Sequence, residues 1–314
     1  MKATPMTKSI STNPRADFYQ RITDTIVRDL EQGTRPWTKP WSTTSSLPSA
    51  IRPLRHDGTP YRGINVLILW SEASDRGHPS STWMTYRQAQ SLGAQVRKGE
   101  RGATIVYAKP IPLLSEDPTT DEDSTRTIPL LRAYTVFNVA QIDGLPSRYM
   151  PQSAPATMTI DVSGRIDHAD AFVTATSVNV QHRGNRACYI PSIDCIEMPL
   201  YSQFRDTPTS TAAEGYYATL LHELIHWTSP VHRCDRDLGK RFADHAYARE
   251  ELVAEIGAAF LCADLNIALE PRPDHAAYIA TWLTVLKSDK RAIFIAAALA
   301  QRAVDWLLEK SRVT

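Results

Sequence analysis

The stretch "TAAEGYYATLLHELIHW", residues 211–227, constrains the fold of this chain more than any other. Tyr217, Leu220, Leu221, Leu224 and Ile225 recur at helical spacing. Thr211 stands three residues before Glu214, the spacing of a capping box in which each side chain satisfies a backbone donor left open at the helix start. A helix this apolar has to be buried, and it carries His222, Glu223 and His226 into the interior with it. At 3.6 residues per turn the two histidines stand one above the other on a single face, with Glu223 to one side.

Two imidazoles so placed can reach one cation, and H-E-x-x-H on a helix is the pattern in which two histidines hold zinc while the glutamate acts as base. Catalytic zinc takes three protein ligands and keeps a fourth position for water, so the chain must supply one more. "YAREELVAEIGAAFL", residues 247–261, offers it: Glu251 and Glu255 lie four apart on a second, largely apolar helix, where unpaired carboxylates would be expensive. Glu251 is the expected third ligand. Glu255 is the expected acceptor that orients a ligand histidine through its other ring nitrogen. Zn2+ suits nitrogen and oxygen donors with an open position, and Mn2+ or another divalent ion tolerates the same set. The chemistry this implies is hydrolysis of a peptide bond, Glu223 taking a proton from an activated water. Tyr247, His245 and His232 are all near in sequence to the proposed ligands, and nothing selects among them as the partner of an oxyanion. The bland alternative is a buried histidine pair without metal. Phosphodiester hydrolysis fits less well, since the carboxylate-rich two-metal cluster it typically uses is missing.

Net charge is +1 over 314 residues, but the two signs are unevenly distributed. Residues 1–150 hold 19 Lys and Arg against 14 Asp and Glu, and residues 1–115 hold 16 against 8, because five acids fall in "SEDPTTDED", 115–123. A basic N-terminal face points to a polyanion, against the plainer reading of an ordinary solvated surface. In "RPWTKPW", "YRGINVLILW", "TWMTYRQ" and "VRKGERGATIVYAK" aromatics alternate with basic and amide side chains, as in proteins that stack unpaired bases and follow the phosphates. Trp37, Lys39, Trp41, Tyr61, Arg62, Asn65, Trp83, Arg97, Lys98, Arg101 and Lys109 are the expected contacts to single-stranded DNA. Each aromatic could equally be core. The cations of "RKGERG" have no evident internal partner and are the stronger expectation.

Helical periodicity covers "RADFYQRITDTIVRDLEQG", a short helix in "YRGINVLILWSEA", Tyr86–Leu92, and in the second half 211–228, 246–265, 274–286 and 288–311. "ATIVYAKPI" and "LRAYTVFNVAQI" have strand composition and pair across the acidic loop, and "SVNVQHRGNRACYIPSIDCIEMPL" reads as a small hairpin sheet turning at "RGNR". Proline and small residues in 146–160 mark a linker. The expectation is an α+β protein of two domains: residues 1–150, α+β and DNA-binding, and residues 151–314, mainly helical with a small sheet. Four cysteines in no C-x-x-C pair suit reduced thiols, and no apolar run nears the ~20 residues of a membrane span, so a cytoplasmic protein is expected.

Six stretches in order, "PWTKPW", "YRGINVLIL", "TWMTYRQAQSLGAQVRKGERGATIVY", "YTVFNVAQIDGLP", "HELIHWTSPVHRCDRD" and "YAREELVAEIGAAFL", resemble the ArdC-type antirestriction proteins of conjugative plasmids and the related domains of plasmid primases. The resemblance covers nearly the whole chain. It implies a domain that binds single-stranded DNA joined to a zincin-like metallopeptidase domain, with His222, Glu223, His226 and Glu251 matching the family pattern. It also implies protection of incoming plasmid DNA from host restriction endonucleases. Ser229-Pro230, where a glycine-containing turn is usual, and Cys234, where an aliphatic residue is usual, depart from that pattern without touching a proposed ligand. Two readings follow. In one, a metallopeptidase is brought to single-stranded DNA and acts on a host restriction enzyme, another DNA-bound protein or itself. In the other, DNA coating alone protects and the metal site is structural or vestigial.

Overall fold

A computed structural model describes residues 14–33, 37, 52–112, 127–149, 162–207, 210–239, 245–267 and 275–312. Lys39, Trp41, the acidic stretch 115–123 and most of the expected linker lie outside them. The fold is α+β, as the periodicities require.

Helix α1 (Pro14–Glu31) buries Ile26 and Leu30 and stops before Gly33, whose φ of +75° suits a residue without Cβ. Then come β1 (Leu54–Arg55), α2 (Ile64–Arg76), β2 (Thr82–Thr85) and α3 (Tyr86–Ser91), the last entered through a capping box between Thr85 and Gln88. Strand β3 (Gln95–Val96) precedes two long strands, β4 (Ala103–Pro112) and β5 (Thr127–Asn138), and β6 (Ile142–Asp143) follows. The main sheet has the order β1-β2-β5-β4, parallel between β1 and β2 and antiparallel elsewhere, while β3 pairs with β6 alone. Helix α2 is fastened to this sheet by Asn65, whose amide donates to the Val106 carbonyl at 2.7 Å and accepts from its N–H at 2.8 Å.

The second half opens with α4 (Val162–Ala175) and three short strands, β7 (Asn179–His182), β8 (Cys188–Ile190) and β9 (Cys195–Met198). The sequence suggests a hairpin turning at "RGNR", but β7 and β8 do not pair with each other. Both pair with β9, β7 in parallel and β8 antiparallel. The physical reason is burial: Cys195, Ile196 and Met198 are fully buried, and the most apolar strand takes the centre. Four helices complete the chain: α5 (Ala212–Trp227), α6 (His245–Asp264), α7 (His275–Ser288) and α8 (Ala292–Arg312). The last two start one and four residues later than periodicity suggests, the turn between them being closed by Asp289, which accepts from the Arg291 N–H at 2.9 Å.

One apolar core runs through both halves, from Ile26, Leu30 and Trp37 through Leu67, Trp70 and Trp83 to Leu221, Phe260, Trp282 and Leu307. A smaller cluster of Met84, Ala89, Ala94, Val96, Val139, Ile142 and Leu145 sits between α3 and the β3-β6 pair. Arg52 reinforces the junction. Its buried guanidinium lies 2.8 Å from Asp264, donates to Gln301 at 3.0 Å and covers the Phe260 ring at 4.5 Å, so an N-terminal cation is seated between α6 and α8. Gln301 accepts from the Gly63 N–H as well, at 3.1 Å. Cys188, Cys195, Cys234 and Cys262 are all free thiols. Among the described residues no helix is long and apolar enough to cross a membrane.

Candidate metal centre

Helix α5 begins where its sequence says it should. The Thr211 hydroxyl accepts from the Glu214 N–H at 3.2 Å, and the Glu214 carboxylate accepts from the Thr211 N–H at 3.0 Å. From there to Trp227 nearly every residue is buried, so His222, Glu223 and His226 lie at 4%, 4% and 8% exposure. Helix α6 packs against α5 and is buried on every side from Glu250 to Ala263, as a helix in the middle of a core must be. Its three glutamates Glu250, Glu251 and Glu255 are buried at 4%, 7% and 2%. The close approach of the two helices is made at Gly257, where a Cβ would stand 2.8 Å from two side-chain carbons of Ile225.

Three donors converge there. The Nε2 atoms of His222 and His226 are 3.2 Å apart, and the Glu251 carboxylate lies 3.5 Å from each. Tetrahedral ligands about 2.1 Å from one ion are separated by roughly 3.4 Å, so the donor set fits a small divalent cation. Among the described residues this is the one group of three such side chains close enough to share an ion.

Each histidine is backed by a second carboxylate. His222 Nδ1 is 3.6 Å from Glu255, and His226 Nδ1 is 3.3 Å from Glu250. Glu250 is in turn gripped by Arg236, through Nε at 3.0 Å and Nη2 at 2.9 Å, and the same guanidinium donates to the Thr228 hydroxyl at 2.8 Å and the Ile225 carbonyl at 2.7 Å. Arg236 thus caps the C-terminus of α5 while fixing the carboxylate behind His226. Neither Glu250 nor Arg236 is singled out by sequence reasoning. The available signal was the doubled glutamate of "REEL" and the arginine of "CDRD", a short turn beyond the second histidine.

Charge in this cluster is strongly coupled. Burial opposes a charged His226, but Glu250 and Glu251 outweigh it and push the imidazolium up to about 10. Burial likewise opposes ionised Glu251, and hydrogen bonds from His222 and His226 hold it well below the usual carboxylate range. A protein without metal therefore keeps a proton where a cation's charge would otherwise sit.

Glu223 points toward the small sheet, where its carboxylate accepts from the Tyr189 backbone N–H on β8 at 2.9 Å. That strand is anchored by the Tyr189 hydroxyl, which donates to Asp194 at 2.9 Å, and by Arg233, which donates to the same carboxylate at 2.9 Å and covers the Trp227 ring at 3.8 Å.

The expected DNA contacts fare differently. Trp37, Tyr61 and Trp83 are exposed by only 2%, 5% and 1%, and their rings belong to the core. This corrects the expectation that they stack on bases: protein atoms already occupy their faces. Trp37 instead donates its indole N–H to Glu255 at 3.3 Å and packs edge-on against Trp282. Asn65 is consumed by the Val106 backbone. Arg62 is exposed but paired with Asp305. Arg97 too has internal partners, Glu100 at 2.8 Å, Asp143 at 3.4 Å and the Ala140 carbonyl at 2.7 Å, contrary to the expectation for its loop. Lys98 and Arg101 are exposed. Lys109 lies on β4.

Comparison with known proteins agrees with this geometry. Residues 16–137 match the family described as the N-terminal domain of anti-restriction factor ArdC, and residues 167–299 match the zincin-like metallopeptidase family MPTase-PolyVal. An uncharacterized protein y4eC of Sinorhizobium fredii (strain NBRC 101917 / NGR234) is 42% identical over 96% of this chain and 95% of its own length. The DNA primase TraC of Escherichia coli is 36% identical over 93% of this chain, which spans only 27% of the primase. Crystal structures of the antirestriction ArdC protein from plasmid R388, metal-free and Mn(II)-bound, are 43% identical to this chain, cover 95% and 94% of it and 98% of their own chains, and superpose with TM-scores of 0.76 and 0.72.

Proposed function

This chain belongs to the ArdC antirestriction family, and on that premise we propose that it binds single-stranded DNA and protects incoming plasmid DNA during conjugation while carrying a metal-dependent peptidase site. The division of labour is residues 1–150 for DNA and residues 151–314 for the metal site, both acting in the cytoplasm.

The observation that carries the catalytic part is the buried cluster of His222, His226 and Glu251, with donor separations of 3.2 to 3.5 Å. These three hold the ion, zinc by the donor set or manganese as in the R388 relative. The chemistry such an ion supplies is Lewis acidity that makes water a nucleophile near neutral pH. Glu223 accepts the proton of that water and passes it to the leaving amine. Glu255 and Glu250 keep the two imidazoles oriented, and Arg236 keeps Glu250 in place. A DNA-bound protein, such as a host restriction enzyme, is the substrate this reading calls for.

One contact favours the second reading, in which DNA coating alone protects. The Glu223 carboxylate is bonded to the Tyr189 N–H, and for proton transfer it has to be shared with water. Glu223→Ala separates the two readings when plasmid transfer into restricting and non-restricting recipients is compared and metal content is measured on the purified protein. Loss of protection at unchanged metal content is the outcome expected for the peptidase. Full protection would move the function to DNA coating, and equal transfer from donors with and without the chain would sink both.

A further inference from the structure

With Trp37, Tyr61 and Trp83 withdrawn into the core, the rings that can meet a base must come from elsewhere. Among the side chains described in 52–107 and 132–149, every large apolar one left exposed is a tyrosine: Tyr86 at 40%, Tyr107 at 54% and Tyr134 at 43%. Two of these share one place. The register pairs Tyr107 with Arg132 and Ile105 with Tyr134, so Tyr107, Arg132 and Tyr134 project from the same face of β4 and β5. Tyr107 and Tyr134 are diagonal neighbours, about 7 Å apart at the backbone, close enough for neighbouring bases of one strand to meet separate rings.

The two strands themselves suit a polyanion. Neither β4 nor β5 contains an acidic residue, and the charges they carry are Lys109 and Arg132. Strand β2 pairs only with residues 136–138 of β5, whereas β4 follows β5 from Val136 to Thr127. From Thr135 back to Thr127, then, β4 and β5 pair only with each other among the described residues, and Tyr107, Arg132 and Tyr134 lie at the base of this ribbon.

We infer that Tyr107, Arg132 and Tyr134 form the stacking platform for single-stranded DNA. The two phenol rings take unpaired bases and the Arg132 guanidinium takes a backbone phosphate between them. The inference rests on the reading that this protein binds single-stranded DNA, and it replaces Trp37, Tyr61 and Trp83 as sources of aromatic contact. A duplex offers no free base faces to such a platform and is bound more weakly.

The test is a titration of a fluorescein-labelled mixed-sequence oligonucleotide, single-stranded and duplex, with the full chain and its variants at several salt concentrations. Tyr107→Ala and Tyr134→Ala each weaken single-strand binding about tenfold, and together roughly 100-fold. Tyr107→Trp and Tyr134→Trp, which keep a stacking ring, bind at least as well as the parent. Arg132→Gln lowers the slope of affinity against salt by about one counterion. Undiminished affinity in the double alanine variant overturns the platform while leaving single-strand binding intact. Failure of the parent chain to bind any single strand overturns the underlying reading instead. Photocrosslinking of an iodouracil-substituted oligonucleotide to the unaltered protein gives a check that does not depend on variants. Crosslinks at Tyr107 or Tyr134 are expected, and crosslinks confined to other peptides contradict the assignment.

Discussion

His226 shows how much a single side chain can be asked to do. It lies between Glu250 and Glu251, which together push its imidazolium up to about 10. Because that value is raised above the ~6.5 of an unfolded chain, the stabilisation is fully present below about pH 6.5 and is lost as pH rises through about 10. A divalent ion needs the neutral ring, so it must expel this proton. Chelator-treated protein is therefore expected to lose thermal stability between pH 7 and 10, and metal-saturated protein to be spared that loss. Calorimetric titration with Zn2+ at pH 7 in two buffers of different ionisation enthalpy should report proton release; identical heats in both would contradict it. The grouping of His222, His226, Glu251 and Glu255 was legible in the sequence, since four-residue spacing on apolar helices leaves few other places for such groups. Glu250 was not, because two adjacent glutamates look alike on a helix until the turn at 228–239 brings Arg236 to one of them. Trp37 and Trp83 misled for a similar reason: a ring beside lysine and arginine reads the same whether it is buried or exposed.

At the scale of elements, the site exists because α5 and α6 lie closer than ordinary side chains permit. Gly257 opposite Ile225 sets that distance, and Glu251 reaches the histidines from the next-but-one turn of the same helix. Gly257→Val is expected to wedge the helices apart, destabilising the protein by about 1–3 kcal/mol in urea unfolding. It should also weaken Zn2+ binding at least tenfold in competition with a chromogenic chelator. Weakened stability with unaltered zinc affinity would mean that Glu251 follows the histidines rather than being positioned by helix spacing. Helix starts were legible wherever a side chain closes the backbone locally, as Thr211 with Glu214 and Thr85 with Gln88 do. The strand order of the small sheet was not, since the choice of β9 as its centre depends on which strand the helices bury.

The whole molecule joins its halves through more than a linker. Trp37, from the N-terminal half, donates to the carboxylate that stands behind His222, and Arg52 is seated between α6 and α8. Trp37→Phe keeps an aromatic ring but loses the pyrrole half of the indole with its N–H donor, so the fold should be retained at some cost in packing while Zn2+ affinity falls by less than the ~10-fold expected for losing Glu255 itself, the group next to the ligand histidine. Equal zinc affinity in the parent and in Trp37→Phe would show that Glu255 needs no help from the first half. Periodicity could not reveal this bond, which spans 218 residues of sequence. The continuous core also bears on relatives longer than this chain. A segment whose core is shared between its halves keeps its packing when it is carried whole inside a longer polypeptide. The primase TraC, which aligns with 93% of this chain inside a far longer one, has the form expected of such a segment. Shared packing makes the pair, rather than either half alone, the unit that keeps this interior closed to water.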